Sequence, residues 1–129
     1  MGIVTNGTVN VRYMVDDVDA AVKFYTSHFG FTVNTKFPPF ADVLLGNLRL
    51  LLAGPDSSAG RPMPDGRKPE PGGWNRLHFI VDDIEAEVER LRKEGVHFRN
   101  DIISGPGGKQ ILLDDPSGNP IELFQPAGS

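Results

Sequence analysis

The chain has no cysteine, which excludes a disulfide framework, a thiolate metal centre and a cysteine nucleophile. It also lacks any apolar run near the roughly 20 residues that a membrane span needs, and its N-terminus has neither the basic nor the apolar part of a signal peptide. Basic residues are few and scattered: 13 Lys and Arg stand against 17 Asp and Glu, for a formal charge of −4 and a pI near 5.3. Phosphate recognition needs clustered cations, so a nucleic-acid partner is not expected, whereas a neutral or cationic small molecule is compatible with the balance. No serine lies in a nucleophile-elbow context, and Gly105-Pro106-Gly107-Gly108-Lys109 lacks the spacing and following helix of a phosphate loop. These absences predict a soluble, cytoplasmic domain held by packing alone, and 129 residues are enough for a real core.

What is present is a repeat. Val15-Asp16-Asp17-Val18-Asp19-Ala20-Ala21-Val22 returns 66 positions later as Val81-Asp82-Asp83-Ile84-Glu85-Ala86-Glu87-Val88, with five of the eight pairs identical. Each copy follows an extended apolar segment, Val9 to Met14 or Arg76 to Ile80. Each leads into helical spacing, Val18, Ala21, Val22, Tyr25 and Phe29 in the first and Ile84, Val88 and Leu91 in the second. The paired aspartates suit a helix N-terminus, where a carboxylate caps free N–H groups and opposes the dipole. Gly30 and Gly95 suit the left-handed stop.

Three extended runs follow each stop: Phe31 to Lys36, Phe40 to Leu45 and Leu48 to Leu52, then Val96 to Ile103, Lys109 to Leu113 and Pro120 to Phe124. Gly46-Asn47 and Gly118-Asn119 mark matching turns. The expected fold class is α+β, two βαβββ modules in tandem forming one concave cleft within a single domain. Module one covers about 8–53 and module two about 74–125. Residues 54–73 hold five Gly and five Pro in 20 positions, too few apolar groups to order as an element. They read as a linker, with a loop over the cleft mouth as the alternative.

Asp114-Asp115-Pro116-Ser117-Gly118-Asn119-Pro120-Ile121-Glu122-Leu123 resembles the DPxGNxxEL signature of the vicinal oxygen chelate superfamily. That group contains glyoxalase I, extradiol dioxygenases, fosfomycin-resistance transferases and bleomycin-binding resistance proteins, and the resemblance runs from about Val9 to Phe124. It implies that a metal, where present, is held by side chains from the first and last strands of both modules. His78 and Glu122 match that pattern in module two. In module one the 66-residue shift sets Arg12 at the His78 position, and aligning the two Gly-Asn turns sets Leu50 at the Glu122 position. A guanidinium repels a dication and Leu50 has no donor atom. The resemblance then leaves two readings for Arg12: counter-charge to Glu122 in place of the ion, or a partly solvated residue at the cleft edge.

The expected ligand-binding set is Arg12, Met14, Phe37, Phe40, Leu50, Trp74, His78, Glu122 and Phe124, with Leu48, Leu52 and Ile80 lining the same face by strand alternation. Each apolar member has ordinary core packing as its alternative. His28 and His97 read as surface or structural residues, and Asp114 and Asp115 as turn holders. The expected function is metal-independent binding of an aromatic or apolar, antibiotic-like compound, conferring resistance by sequestration, with no cofactor and no catalytic residue. The alternative is a metal-dependent lyase, isomerase or dioxygenase using His78 and Glu122 with Zn, Ni, Mn or Fe. Resemblance also implies a homodimer.

Overall fold

In a computed structural model, which describes residues 2–4 and 6–128, the chain forms two compact units, Met1–Pro71 and Gly72–Ser129. The first contains β1 (Val9–Met14), α1 (Val18–Phe29), β2 (Thr32–Phe37), β3 (Phe40–Leu45) and β4 (Leu48–Ala53). Its sheet runs β1-β4-β3-β2, with β1 and β4 parallel and the other pairs antiparallel. The second contains β5 (Leu77–Ile80), α2 (Ile84–Lys93), β6 (His97–Phe98), β7 (Ile103–Gly105), β8 (Gly108–Asp114) and β9 (Pro120–Pro126). Its sheet runs β5-β9-β8-β6, and β7 also pairs with β8. The fold is α+β, with the βαβββ plan written twice.

The helix signals act as the sequence predicts. Asp17 Oδ1 accepts from Ala20 N, and Asp83 Oδ1 accepts from Ala86 N, each at 3.1 Å, which satisfies an otherwise free N–H. Gly30 ends α1 with φ of 74° and Gly95 follows α2 with φ of 85°. Beyond α2, Gly95 N donates to Arg92 O and Val96 N to Leu91 O, each at 3.0 Å, the paired closure that a left-handed glycine permits. The buried face of α2 is Ile84, Val88 and Leu91, and that of α1 is Ala21, Val22, Phe24 and Tyr25. Against them lie the inward strand residues: Tyr13, Ala41, Val43, Leu50 and Leu52 in the first unit, and Leu77, Ile111, Leu113, Ile121 and Leu123 in the second.

Two expectations are corrected. Val96 to Ile103 is not one strand: β6 pairs with β8 at Leu113 and Asp114, the chain then leaves the ladder, and β7 rejoins at Gln110. Arg99 N still donates to Leu112 O at 2.9 Å, but the return bond is made by a side chain, Leu112 N donating to Asn100 Oδ1 at 2.9 Å. An asparagine amide thus replaces a backbone carbonyl, and the excess residues loop out. The second correction concerns 54–73, whose first part is ordered. Ser57 Oγ donates to Gly54 O at 2.6 Å and accepts from Gly60 N at 3.2 Å, closing a 3-10 turn at Ser58–Gly60 with Ser57 and Gly60 buried. Hydrogen bonds supply the order that apolar burial does not. A Cβ at Gly60 would stand 2.6 Å from Gly54 O, so glycine is required there.

Candidate functional site

Strand alternation gives each sheet one face against its helix and one face away from it. In the second unit, Leu77 and Phe79 alternate with His78 and Ile80, and Arg76 continues the His78 side one step before β5. His78 lies opposite Glu122 in register and Ile80 opposite Phe124. Arg76, His78, Ile80, Glu122 and Phe124 therefore share the face away from α2.

Glu122 is the buried acid of this face, 6% exposed. Arg76 Nε and Nη2 each reach Glu122 Oε1 at 2.9 Å, and His78 Nε2 stands 3.5 Å from Oε2. The His78 ring packs on Phe124 with centroids 5.1 Å apart and planes tilted by 36°. Arg76 Nη1 also donates to Trp74 O at 3.1 Å. Trp74 is 68% exposed and lies against Arg99, whose Cζ is 4.8 Å from the ring centroid. Arg99 is tied by Asp114 at 2.6 Å, Gly118 O at 3.0 Å and Gly73 O at 3.1 Å, so one indole face rests on a fixed cation.

Asp115 holds the turn, as expected: Oδ1 accepts from Ser117 N and Asn119 N, and Oδ2 from Asn119 Nδ2. Asp114 instead pairs with Arg99. Asn119 Oδ1 accepts from Gly72 N at 2.8 Å, so the signature motif anchors the start of its own unit.

In the first unit the register changes one assignment. Arg12 pairs with Leu51, and Leu50 pairs with Val11. Leu50 is fully buried among the residues facing α1, so it lies on the opposite face from Arg12, as do Leu48 and Leu52. The counterpart of Glu122 is Leu51. The difference originates at the turns: β3 and β4 are joined by the short Gly46-Asn47 link, whereas β8 and β9 are joined by the longer loop that Asp115 braces. Aligning Gly-Asn on Gly-Asn therefore slips the strands by one residue, and a slip of one exchanges faces.

Arg12 is exposed, and Met14 is half-buried on the same face of β1. Phe37 and Phe40 are opposite each other across β2 and β3, their rings 5.9 Å apart, with Phe37 56% exposed. Two participants lie outside the set expected from sequence. Arg76, not Arg12, is the counter-charge that Glu122 meets within its own unit, and its position two residues before His78 on an alternating strand is the signal that could have found it. Asp42 is the other: it is wholly buried, opposite Leu51 in register, and its Oδ2 accepts from Arg49 Nε at 2.6 Å and Asn34 Nδ2 at 2.9 Å. Burial works to raise its pKa, but the hydrogen bonds from Arg49, Asn34 and Thr35 and the charge of Arg49 outweigh it and hold the carboxyl below the ordinary value of 3.8.

The chain belongs to the Glyoxalase/Bleomycin resistance protein/Dioxygenase superfamily, whose family profile matches residues 7–123. Among curated relatives, "Putative glyoxylase CFP32" of Mycobacterium tuberculosis (strain CDC 1551 / Oshkosh) is 32% identical over 123 residues. The match covers 92% of this chain and 46% of that protein, so the chain spans about half the length of that relative. Among solved structures, TnmS3, an antibiotic binding protein from Streptomyces sp. CB03234, superposes with a TM-score of 0.72 at 27% identity, over 98% of this chain and 99% of that one. Lactoylglutathione lyase from Agrobacterium tumefaciens superposes with a TM-score of 0.70 at 24% identity, over 94% of each chain, a likeness of fold.

The metal that some members of this family carry does not suit the residues here. A dication at Glu122 would sit beside the Arg76 guanidinium, which cannot give up its proton. The equivalent first-unit positions, Arg12 and Leu51, offer no electron pair. Among the described residues no three His, Cys, Asp or Glu side chains gather into a metal-holding group. No helix among them is long and apolar enough to cross a membrane.

Proposed function

We propose that this chain is a metal-independent binding protein that sequesters a small aromatic or apolar, antibiotic-like compound without altering it. The observation that carries the reading is the Arg76 guanidinium on Glu122 Oε1: the position where a metalloenzyme of this fold needs a free carboxylate holds a neutralised one. Support comes from the aromatic surface nearby, an exposed indole backed by Arg99 and an imidazole backed by Phe124, which suits a flat ligand. The likeness to TnmS3, itself an antibiotic binding protein, points the same way. The binding residues are those on the sheet face away from the helix in each unit, Arg12, Met14, Phe37 and Phe40 in the first and His78, Glu122 and Phe124 in the second, with Trp74 just before β5, and the molecule acts as a cytoplasmic homodimer.

Protein purified without a histidine tag or chelators should carry well below one equivalent of Zn, Ni, Mn or Fe. Trp74, the single tryptophan, should be quenched or shifted by planar compounds of the cognate class. The second reading, a metal-dependent lyase, isomerase or dioxygenase, is favoured by the adjacency of His78 Nε2 and Glu122 Oε2 at 3.5 Å. A stoichiometric metal lost on His78→Ala would establish that reading and end the first.

A further inference from the structure

The short segment before β1, Asn6-Gly7-Thr8, places a side-chain amide where its own backbone can attack it. Asn6 is the one asparagine in the chain that glycine follows, and Asn6, Gly7 and Thr8 are all exposed. A larger residue after asparagine crowds the backbone nitrogen, and proline removes its hydrogen, as at Asn119-Pro120. Glycine does neither, and Gly7 sits in the left-handed region with φ of 86°. The Asn6 side chain is folded forward over the Gly7 peptide: its Oδ1 accepts from Thr8 N at 3.3 Å and from Thr8 Oγ1 at 2.7 Å. The Thr8 hydroxyl also lies 3.4 Å from Asn10 Oδ1, but its single proton serves the shorter contact. Two donors on Oδ1 draw charge from Cγ, and the forward fold brings that carbon toward Gly7 N. Asp65-Gly66, the one Asp-Gly step, has the same forward fold, Oδ1 accepting from Arg67 N at 3.0 Å. There, however, Arg67 Nε holds Oδ2 at 2.8 Å. A carboxylate paired with a guanidinium is a poor target for a nucleophile, so the two steps differ in their electrophile.

We propose that Asn6-Gly7-Thr8 is a self-modification site, at which the folded chain converts Asn6 to aspartate and isoaspartate with water as the only co-reactant. Gly7 N gives its proton to solvent and bonds to Asn6 Cγ, which places negative charge on Oδ1, where Thr8 Oγ1 and Thr8 N donate. The bond from Cγ to Nδ2 then breaks, the nitrogen takes up a proton, and ammonia leaves behind a five-membered succinimide. Water adds to either ring carbonyl and opens the ring to aspartate or to isoaspartate, whose main chain is longer by one carbon. Nothing is oxidised or reduced. Each conversion exchanges a neutral amide for a carboxylate and so adds one negative charge to a formal charge of −4. The site stands three residues before β1, whose first residue is tied by Val9 N donating to Asn47 O at 2.7 Å. The new charge therefore arrives outside the sheet and leaves its ladders in place. The reaction is independent of the ligand-binding reading and of metal content.

The experiment is to age the full chain at neutral and at mildly alkaline pH, folded and in urea, and to read the tryptic peptide ending at Arg12 by tandem mass spectrometry. The expected result is an amide-to-acid mass gain at Asn6, faster in alkali because Gly7 N must lose its proton. Part of the product should be isoaspartate, which an isoaspartyl methyltransferase labels. Asn10 in the same peptide, and Asp65, should stay unchanged over the same time. Thr8→Val, at an exposed position that leaves the fold intact, should slow the folded chain roughly threefold to tenfold, the worth of one exposed hydrogen bond. In urea, where the forward fold is lost, that variant should match the wild type, and Thr8→Ser should restore the folded rate. A folded chain that keeps Asn6 while the chain in urea converts it would overturn the proposal. So would equal folded rates for Thr8→Val and wild type, or conversion at Asn10 as fast as at Asn6.

Discussion

The two units place an acid and a leucine at the same pair of positions in opposite order. In the first sheet Arg12, Leu51 and Asp42 lie in one cross-strand row. In the second, His78, Glu122 and Leu112 lie in the corresponding row. The acid has moved from the last strand of one module to the strand before it in the other. Each acid is buried away from the helix and met by an arginine from an adjacent strand or its approach, Arg49 for Asp42 and Arg76 for Glu122. What the repeat preserves is one neutralised carboxylate in this row of each sheet, and its location within the row is what differs. Burial explains the preservation, since an ionised carboxylate out of water is tolerated only when paired.

The sharpest way to break this comparison is to remove each arginine. Losing one partner of a buried pair costs about 3–5 kcal/mol, and because Arg76 and Arg49 are about one-third exposed, roughly 2–3 kcal/mol is expected for each alanine variant. Arg76→Ala should be the worse, because Asp42 keeps its bond from Asn34 while Glu122 keeps only His78 at 3.5 Å. Urea unfolding of the two variants decides it, and equal losses would undo the distinction. The pH dependence has a definite sign. Asp42 has a depressed folded pKa, so its pairing is fully stabilising above the ordinary 3.8 and is lost as pH falls through the lower folded value. The gap between wild type and Arg49→Ala should therefore close in acid below that point.

A smaller effect tests the interrupted strand. Asn100→Ala leaves Leu112 N without its acceptor, and about 1–2 kcal/mol of stability should go with it. Among the described residues of the first unit no such device appears, since β2 runs unbroken apart from a register shift between Val33 and Thr35. The smallest effect tests what the units share: Asp17→Ala and Asp83→Ala should each cost about 1 kcal/mol, and unequal values would show that the caps are not equivalent.

Legibility follows the range of the interaction. The helices and their caps are readable because i to i+3 bonds and 3.6-residue spacing are local, and the spacing of Ile84, Val88 and Leu91 alone marks them as the buried stripe of α2. The strands β1 and β3 are readable to the residue. Leu50 is misplaced by sequence alignment because a loop of different length slips a register without any mark in the strand itself. Asn100 gives no local signal because its amide serves as a backbone surrogate for a residue 12 positions away. Ser57 gives none because its hydroxyl orders a turn that has little apolar surface to bury.

Of the candidate site, His78 and Glu122 are visible as residue types at matching places. Their company is not: Arg76 on Glu122, Arg99 beneath Trp74, and Arg49 and Asn34 on Asp42 are all arrangements between residues far apart in the chain. The amino-acid order by itself determined the tandem plan, the helix limits and the absence of cysteine chemistry, since these depend on neighbours in the chain. Tertiary structure alone decided which leucine faces which way and which arginine neutralises which acid, because register and burial are properties of strands side by side, and a shift of one residue reverses them.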